Sequence, residues 1–258
     1  GSPGVAAAAA RVSAELDPAL GADAAEIRAE AAACGLRRLE LAPGRELVLE
    51  LAPESTEAGR ELTGGLVWRA GEVLARALAA RTPDLAGFRV LELGSGTGVA
   101  GLGAACCGAD ALLTDLPEAL PLLEANAARN RGAIAAAGGQ VVVRALDWRT
   151  DLCGEAALER RELVLAADLV WREDQCEPLV KWLAGYGAPC LFALSPRMNH
   201  KAVCEALRGA WGPAGLDVRP LLLGVARCDA WLLLPRGAGT PAPPLDAFLE
   251  RIADGACG

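Results

Sequence analysis

The chain has 258 residues, of which 53% are hydrophobic, and its formal net charge is −8. This length fits one domain or two small ones and supplies enough apolar residues for a large core. No uncharged apolar stretch of about 18 or more residues occurs, so no membrane span is expected. The acidic balance and the lack of any lysine or arginine run argue against broad binding to nucleic acid.

The nine cysteines are scattered without a Cys-x-x-Cys pair, and His200 is the only histidine. This composition predicts no metal site, structural zinc included. An odd, dispersed set of cysteines favours free thiols in a reducing compartment, so we expect a cytoplasmic protein. The chain begins with Gly1-Ser2, a pair typical of a cleavage remnant. The alternative that an organelle-targeting peptide once preceded it therefore stays open.

The first part of the chain predicts loose structure, then a helix and a hairpin. Residues 1–12 are of low complexity and are expected to be flexible. An Asp-Pro pair predicts a helix over residues 17–35, with the aspartate as N-cap and the proline at its first position. Weak alternation predicts a strand at 45–51, which could form a hairpin with 38–41. A glycine turn and an amphipathic helix from about Arg69 follow.

The most informative stretch is Phe88-Arg-Val-Leu-Glu-Leu-Gly-Ser-Gly-Thr-Gly98. It predicts a buried strand, a glycine turn and a helix of small residues, which together form a nucleotide-type site. The dinucleotide pattern Gly-x-Gly-x-x-Gly fails when counted from Gly94, because its last position is Val99; starting at Gly96 restores it two residues late. Glu92 suits a cofactor with a hydroxyl pair and a positive charge better than it suits a pyrophosphate.

Beyond this motif, strands and helices alternate, which predicts an α/β fold with a doubly wound, mostly parallel sheet. The predicted strands lie at 88–93, 111–115, 140–146, 162–168, 189–194, 216–223 and 227–234. The predicted helices lie at 99–107, 117–131, 174–184 and 199–210. A short turn at Gly224 joins the last two strands, so they should form an antiparallel hairpin, because a parallel crossover needs about a dozen residues.

Two further strand ends carry side chains suited to a nucleoside. Asp115 lies at the end of the second strand of the sheet, where a carboxylate accepts hydrogen bonds from ribose hydroxyls; it could also cap the next helix. Asp147 and Trp148 close the third strand, where the aspartate could bind an adenine amino group and the indole could cover the ring. The alternative for this pair is a buried structural tryptophan beside an exposed aspartate.

Three segments resemble methyltransferase family 16, a group of mostly protein-lysine methyltransferases marked by an Asp-x-x-Tyr motif. They are Leu113-Thr-Asp-Leu-Pro-Glu and the helix that follows, Thr63-Gly-Gly-Leu-Val-Trp-Arg, and Leu146-Asp-Trp148. The resemblance covers roughly residues 45 to 235. It implies a Rossmann-like, seven-stranded methyltransferase that uses S-adenosyl-L-methionine. The cofactor-binding residues that it implies are Trp68, Glu92, Gly94, Ser95, Gly96, Asp115, Leu116, Asp147, Trp148 and Ala167.

The chain departs from the family at Ala167-Asp-Leu-Val-Trp171, where Trp171 stands in place of the usual tyrosine. We predict that Asp168 and Trp171 are the catalytic pair at the substrate side. A lysine amine has a pKa of about 10.4 and must lose its proton to react. Desolvation against the indole would lower that pKa, and Asp168 could accept the remaining N–H bond. A core position for Trp171 is the structural alternative.

These patterns divide the chain into a flexible start (1–12), a region with a helix, a possible hairpin and a cofactor-covering segment (13–85), a methyltransferase domain (86–236) and a tail with a short helix (237–258). We expect a monomer that acts on a protein presenting a lysine, with neither nucleic acid nor membrane as partner. Methylation of a small molecule or another side chain stays open. So does a drifted cofactor-binding fold that serves as a protein-interaction module.

Overall fold

The computed structural model describes residues 35–52, 63–81, 85–150, 160–196, 199–223, 228–237 and 243–253. The predicted flexible start at 1–12, the helix predicted over 17–35 except for Gly35, and the turn at Gly224 lie outside these residues.

The described residues form two sheets and six α-helices. The strands are β1 (Leu36–Ala42), β2 (Arg45–Glu50), β3 (Arg89–Leu93), β4 (Asp110–Asp115), β5 (Gln140–Ala145), β6 (Leu163–Ala167), β7 (Cys190–Leu194), β8 (Leu216–Pro220) and β9 (Asp229–Pro235). The helices are α1 (Arg69–Arg81), α2 (Val99–Ala105), α3 (Leu120–Ala136), α4 (Cys176–Tyr186), α5 (His200–Trp211) and α6 (Pro243–Ala253).

The main sheet has seven strands in the order β5-β4-β3-β6-β7-β9-β8. Neighbours from β5 to β7 are parallel, whereas β9 lies antiparallel between β7 and β8. The predicted fold class, a mostly parallel sheet with an antiparallel C-terminal hairpin, is confirmed. Because β4 and β6 flank β3, the carboxyl ends of these three strands meet at one edge of the sheet, where open α/β sheets bind ligands.

Alternate residues of each central strand face opposite hydrophobic layers, as the period-two geometry of a strand requires. Val90 of β3 joins a layer that contains α1, α2, α3, α6 and the β1–β2 hairpin. Leu91 and Leu93 face the other layer, which contains α4 and α5. Both faces of the sheet are therefore covered, which explains why the central strands read as continuous apolar runs.

One helix boundary differs clearly from the sequence prediction. The predicted helix at 117–131 divides into a 3₁₀ turn at Pro117–Ala119 and helix α3, which continues to Ala136. Pro117 and Pro121 carry no N–H, so they fit at the first turn but cannot donate to helical hydrogen bonds. Burial of Ile134 extends the helix past Gly132.

Two asparagines of α3 bind the edge of the β1–β2 hairpin. The Asn126 side chain accepts a hydrogen bond from Glu50 N at 2.6 Å and donates to Glu50 O at 3.1 Å. Asn130 makes the same pair of bonds with Val48, at 2.9 and 2.8 Å. The four helical residues from Asn126 to Asn130 advance about 6 Å, and the two strand residues from Val48 to Glu50 advance about 6.6 Å, so the two spacings match. The hairpin is thereby attached to the main domain through the edge of β2 that does not pair with β1.

Replacing Asn126 with alanine should lower the free energy of unfolding by about 2–4 kcal/mol, because several buried hydrogen-bonding groups lose their partner. Asn126 is fully buried and also donates to Thr97 O at 3.1 Å. Arg129→Ala is a matched control on the same helix, because Arg129 pairs with Glu50 at the surface. Such exposed pairs contribute less than about 1 kcal/mol. Urea unfolding that gives equal midpoints for the two variants would contradict this account.

None of the described helices is long and apolar enough to cross a membrane.

Candidate active site

One cavity at the carboxyl edge of β3, β4 and β6 is lined by all twelve residues that the sequence analysis selected. They are Trp68, Glu92, Gly94, Ser95, Gly96, Asp115, Leu116, Asp147, Trp148, Ala167, Asp168 and Trp171. The predicted roles of these residues stay predictions. The tertiary structure brings them together from five separate stretches of the chain.

The glycine turn after β3 is closely covered by two other segments. Gly94 and Gly96 have φ angles of 58° and 52°, in the left-handed region that favours glycine. A Cβ on Gly96 would lie 2.9 Å from Gly64 O, and a Cβ on Gly94 would overlap Leu169 Cδ1. The space at these two positions admits glycine without a side chain, and Gly64 and Leu169 pack directly against the turn.

Asp115 lies across the turn from β3 rather than capping the next helix. Its Oδ2 accepts a hydrogen bond from Gly96 N at 2.6 Å, and its Oδ1 accepts one from Leu116 N at 2.7 Å. Burial raises the pKa of this carboxyl above its usual value, and these backbone donors oppose that effect. The carboxylate thus joins the ends of β3 and β4 at the floor of the cavity.

Glu92 is a buried acid at the end of β3, and its Oε2 makes no hydrogen bond with the described residues. Burial raises its pKa to about 8, while the Gly101 and Ala100 backbone N–H groups and the Ser95 side chain oppose the rise. A buried polar atom without a partner costs free energy. A ligand that supplies a donor or a positive charge would relieve this cost.

Two indoles and an ion pair form the sides of the cavity. Trp68, just before α1, is half-buried, and Trp148, after β5, is buried. Trp148 also packs in the core, as the structural alternative expected, and it lines the cavity. The Asp147 carboxylate accepts two bonds from the Arg149 guanidinium, at 2.8 and 2.7 Å. These hydrogen bonds lower the pKa of Asp147, so it stays ionised at neutral pH.

Asp168 links three elements at the opposite end of the cavity. Its Oδ1 accepts from Ser195 N at 2.8 Å, and its Oδ2 accepts from the Ser195 hydroxyl at 2.7 Å and from Ala70 N at 3.2 Å. It is the one non-glycine residue of the described chain with a positive φ, at 51°. Strain of this kind clusters at functional sites. The side chain holds the ends of β6 and β7 against the first turn of α1.

Trp171 lies at the rim of the cavity and is 43% exposed, so it is not a core residue. Its backbone N–H donates to Gln175 Oε1 at 3.0 Å, which fixes the turn that follows β6. The indole also lines a shallow depression formed with α5. An exposed aromatic ring beside the cavity is suited to packing against an incoming side chain.

Sequence reasoning missed three residues that shape this site. Ser195 bonds Asp168, Gly64 covers Gly96, and Gln175 fixes the backbone of Trp171. Ser195 could have been found from its position, because it follows β7 as Asp168 follows the neighbouring β6. Gly64 and Gln175 carry no such signal. Gly64 acts through its contact with Gly96, which is distant in the sequence, and Gln175 acts through a hydrogen bond within a single turn of the chain.

The fold and the site together define a Rossmann-like methyltransferase with an acid-lined cofactor cavity. A profile of the lysine methyltransferase family matches residues 51–200. The chain belongs to this family, methyltransferase family 16. Membership confirms the predicted family and, with it, S-adenosyl-L-methionine as the cofactor.

Curated relatives carry names of the same kind. Mouse EEF1A lysine methyltransferase 3 is 37% identical over 139 residues, which are 53% of this chain and 57% of that protein. Zebrafish (Danio rerio) protein N-lysine methyltransferase METTL21A is 38% identical over 122 residues, or 46% and 53% of the two chains. The matched region thus spans little more than half the length of these relatives.

Among solved structures, PH1948 from Pyrococcus horikoshii aligns over 74% of this chain and 92% of its own length. The TM-score is 0.50 and the identity is 18%, a likeness that shows the fold alone.

Proposed function

We propose that this chain transfers the methyl group of S-adenosylmethionine to a lysine side chain of a protein. The observation that carries the proposal is one cavity with Glu92 and Asp115 on one side and Asp168 and Trp171 on the other. Family membership and the names of the mouse and zebrafish relatives support a protein lysine as the acceptor.

The residues of the cavity fit the cofactor. Asp115 would accept bonds from the ribose hydroxyls, and Glu92 would face the positively charged part of the molecule. Trp68 and Trp148 would cover the adenine ring, and Asp147 would accept from its amino group. When bound, the cofactor supplies a methyl group already activated by its sulfonium. The protein therefore mainly holds the acceptor in line, at about 3–3.5 Å from the reacting carbon.

The rim residues would prepare the acceptor. The exposed indole of Trp171 would remove water from the lysine side chain and lower the pKa of its amine. Its π face would attract the ammonium form during approach. Asp168, which is hydrogen-bonded to Ser195 and Ala70, would hold the turn that carries Trp171 in position beside the cavity. Trp171 has no phenolic hydroxyl, unlike the usual tyrosine. The proposed transfer therefore uses only the aromatic ring at this position.

The remaining features are proposed with the function. We propose a cytoplasmic monomer without a nucleic-acid or membrane partner. The net charge of −8 and the lack of basic runs support the absence of nucleic acid. The described cysteines, which are Cys106, Cys107, Cys176, Cys190, Cys204 and Cys228, are all free thiols. Free thiols are typical of a reducing compartment.

A second candidate is a cofactor-binding fold that has lost turnover and serves as a protein-interaction module. The replacement of the usual tyrosine by Trp171 favours it. Methylation of a small molecule or of another side chain is the remaining enzymatic alternative. Cofactor binding is common to all three, and the acceptor that becomes labelled separates them.

Titration calorimetry should show binding of S-adenosylhomocysteine and none of NAD. Asp115→Ala should weaken the binding by about 1.5–3 kcal/mol, the cost of hydrogen bonds lost from a charged group. Glu118→Ala is the matched control, because this acid is exposed in the next turn. Equal binding of NAD, or an unchanged affinity in Asp115→Ala, would overturn the cofactor assignment.

The transfer itself is tested by incubating the chain with radiolabelled cofactor and cell lysate. We expect labelled protein bands, with the methyl group on lysine when the peptides are sequenced by mass spectrometry. Label on another side chain or only on small molecules would replace the proposed acceptor. Cofactor binding without any label would favour the interaction module.

A further inference from the structure

A second cluster of reactive side chains lies outside the cofactor cavity. His200 Nε2 is 2.7 Å from Asp229 Oδ2, and Cys204 Sγ is 3.6 Å from His200 Nε2 and 3.8 Å from Asp229 Oδ2. The three potential ligand atoms thus face one another. None of the three residues lines the cavity that holds Glu92 and Asp115.

The fold brings these residues together from two elements. His200 and Cys204 are four residues apart on α5, so they lie on the same helix face one turn apart. Asp229 opens β9 and pairs with Leu194 at the end of β7, which brings the start of β9 next to the start of α5. Two ligands on one helix and one on a strand form a framework held by tertiary packing.

Two of the three distances are close to those of a tetrahedral metal site. With metal–ligand bonds of roughly 2.0–2.3 Å, two ligand atoms in a tetrahedral shell are separated by roughly 3.3–3.6 Å. Both distances to Cys204 Sγ already fall within about 0.3 Å of this range. Only the His200–Asp229 separation must widen, by about 0.6 Å, when an ion replaces their hydrogen bond. A small side-chain movement is enough.

We propose that His200, Cys204 and Asp229 bind a divalent transition-metal ion, with Zn²⁺ as the preferred one. Imidazole, thiolate and carboxylate together suit zinc, whereas magnesium and calcium select oxygen ligands alone. The His200 and Asp229 side chains are 20% and 50% exposed, so water can reach the fourth position. The thiol loses its proton to solvent when it binds.

Cys204 is buried on α5, so its position is held by the packing of the core. The cluster lies beside the depression lined by Trp171 and Ser195, so a bound ion would stabilise the wall behind the substrate rim.

This inference differs from the sequence expectation of no metal. That expectation rested on the absence of Cys-x-x-Cys and on a single histidine, because sequence motifs reveal ligands only when they are close along the chain. Here 25 residues separate Cys204 from Asp229.

The test is a titration of the whole metal-free chain with Co²⁺, followed by absorption spectroscopy. A thiolate-to-cobalt charge-transfer band should appear, saturate at one equivalent and disappear when Zn²⁺ is added. Cys204→Ser should abolish the band and weaken Zn²⁺ binding by roughly 100-fold or more, above the loss that an outer-shell change causes. His200→Gln and Asp229→Asn should weaken it as well.

Cys176→Ser is the matched control, because Cys176 is a buried thiol that lies near Cys204 and is not part of the triad. This variant should keep the band and the affinity. A parent chain without a band, or a band that survives in Cys204→Ser, would overturn the proposal. Circular dichroism of each variant separates ligand loss from misfolding, and the outcome does not depend on methyl transfer.

Discussion

Replacing Asp168 with asparagine is expected to lower methyl transfer by about 100-fold, the scale of an acceptor held about 1 Å out of place. The carboxylate accepts bonds from Ser195 N, the Ser195 hydroxyl and Ala70 N, and one amide oxygen cannot replace two carboxylate oxygens. The free energy of unfolding should fall by about 2–4 kcal/mol for the same reason. Asparagine tolerates the positive φ of this position, so the change tests the bonds rather than the backbone.

Two companion variants separate the possible roles of Asp168. Ser195→Ala removes the bond that the hydroxyl donates to Asp168 Oδ2 and the one that it accepts from Ala70 N at 2.9 Å. It keeps the bonds from Ser195 N and Ala70 N to the Asp168 carboxylate, so its loss of rate should be smaller. Asp174→Asn changes an exposed acid that pairs with Arg172 at the surface, and it should leave rate and stability unchanged. The measurements are kcat, KM, the affinity for S-adenosylhomocysteine and the urea midpoint. If Asp168→Asn keeps the kcat and the urea midpoint of the parent, the hydrogen bonds of Asp168 contribute neither to methyl transfer nor to stability.

Replacing Glu92 with glutamine should remove a large pH dependence of stability. The pKa of Glu92 is about 8 in the folded chain, against an ordinary value of 4.5, because the side chain is buried. Between these values the folded state keeps a proton that the unfolded state has released. The free energy of unfolding of the parent should therefore fall as pH rises from about 4.5 to 8, by several kcal/mol, since each pKa unit corresponds to about 1.4 kcal/mol.

Urea unfolding at pH 5, 6.5 and 8 tests this expectation. The parent should lose stability across the series, and Glu92→Gln should lose less and exceed the parent at pH 8. Glu118→Gln, at an exposed acid, should follow the parent. The same group predicts proton release on cofactor binding near pH 7, because a positive ligand favours ionised Glu92. Calorimetry in two buffers of different ionisation enthalpy would measure it, and equal release by Glu92→Gln would contradict the assignment.

The sequence by itself was sufficient for the fold class and for the choice of twelve residues that line one cavity. Alternating apolar strands and helices specify a doubly wound sheet, and the carboxyl ends of parallel strands must share one edge. Glu92, Asp115, Asp147 and Asp168 each lie at or just beyond the carboxyl end of a strand of that sheet, so their convergence on one cavity follows from topology. The glycine turn is local as well, because left-handed backbone favours glycine wherever the rest of the chain lies.

The tertiary structure decided which atoms each site residue contacts. Asp168 bonds Ser195 and Ala70, 27 and 98 residues away in sequence, and no local pattern encodes such partners. The same limit applies to the asparagines of α3, which hold the hairpin edge, and to His200, Cys204 and Asp229. Local sequence determines backbone conformation and which face is buried. The pairing of polar side chains depends on how elements distant in the chain pack against one another, so it becomes visible only in the folded molecule.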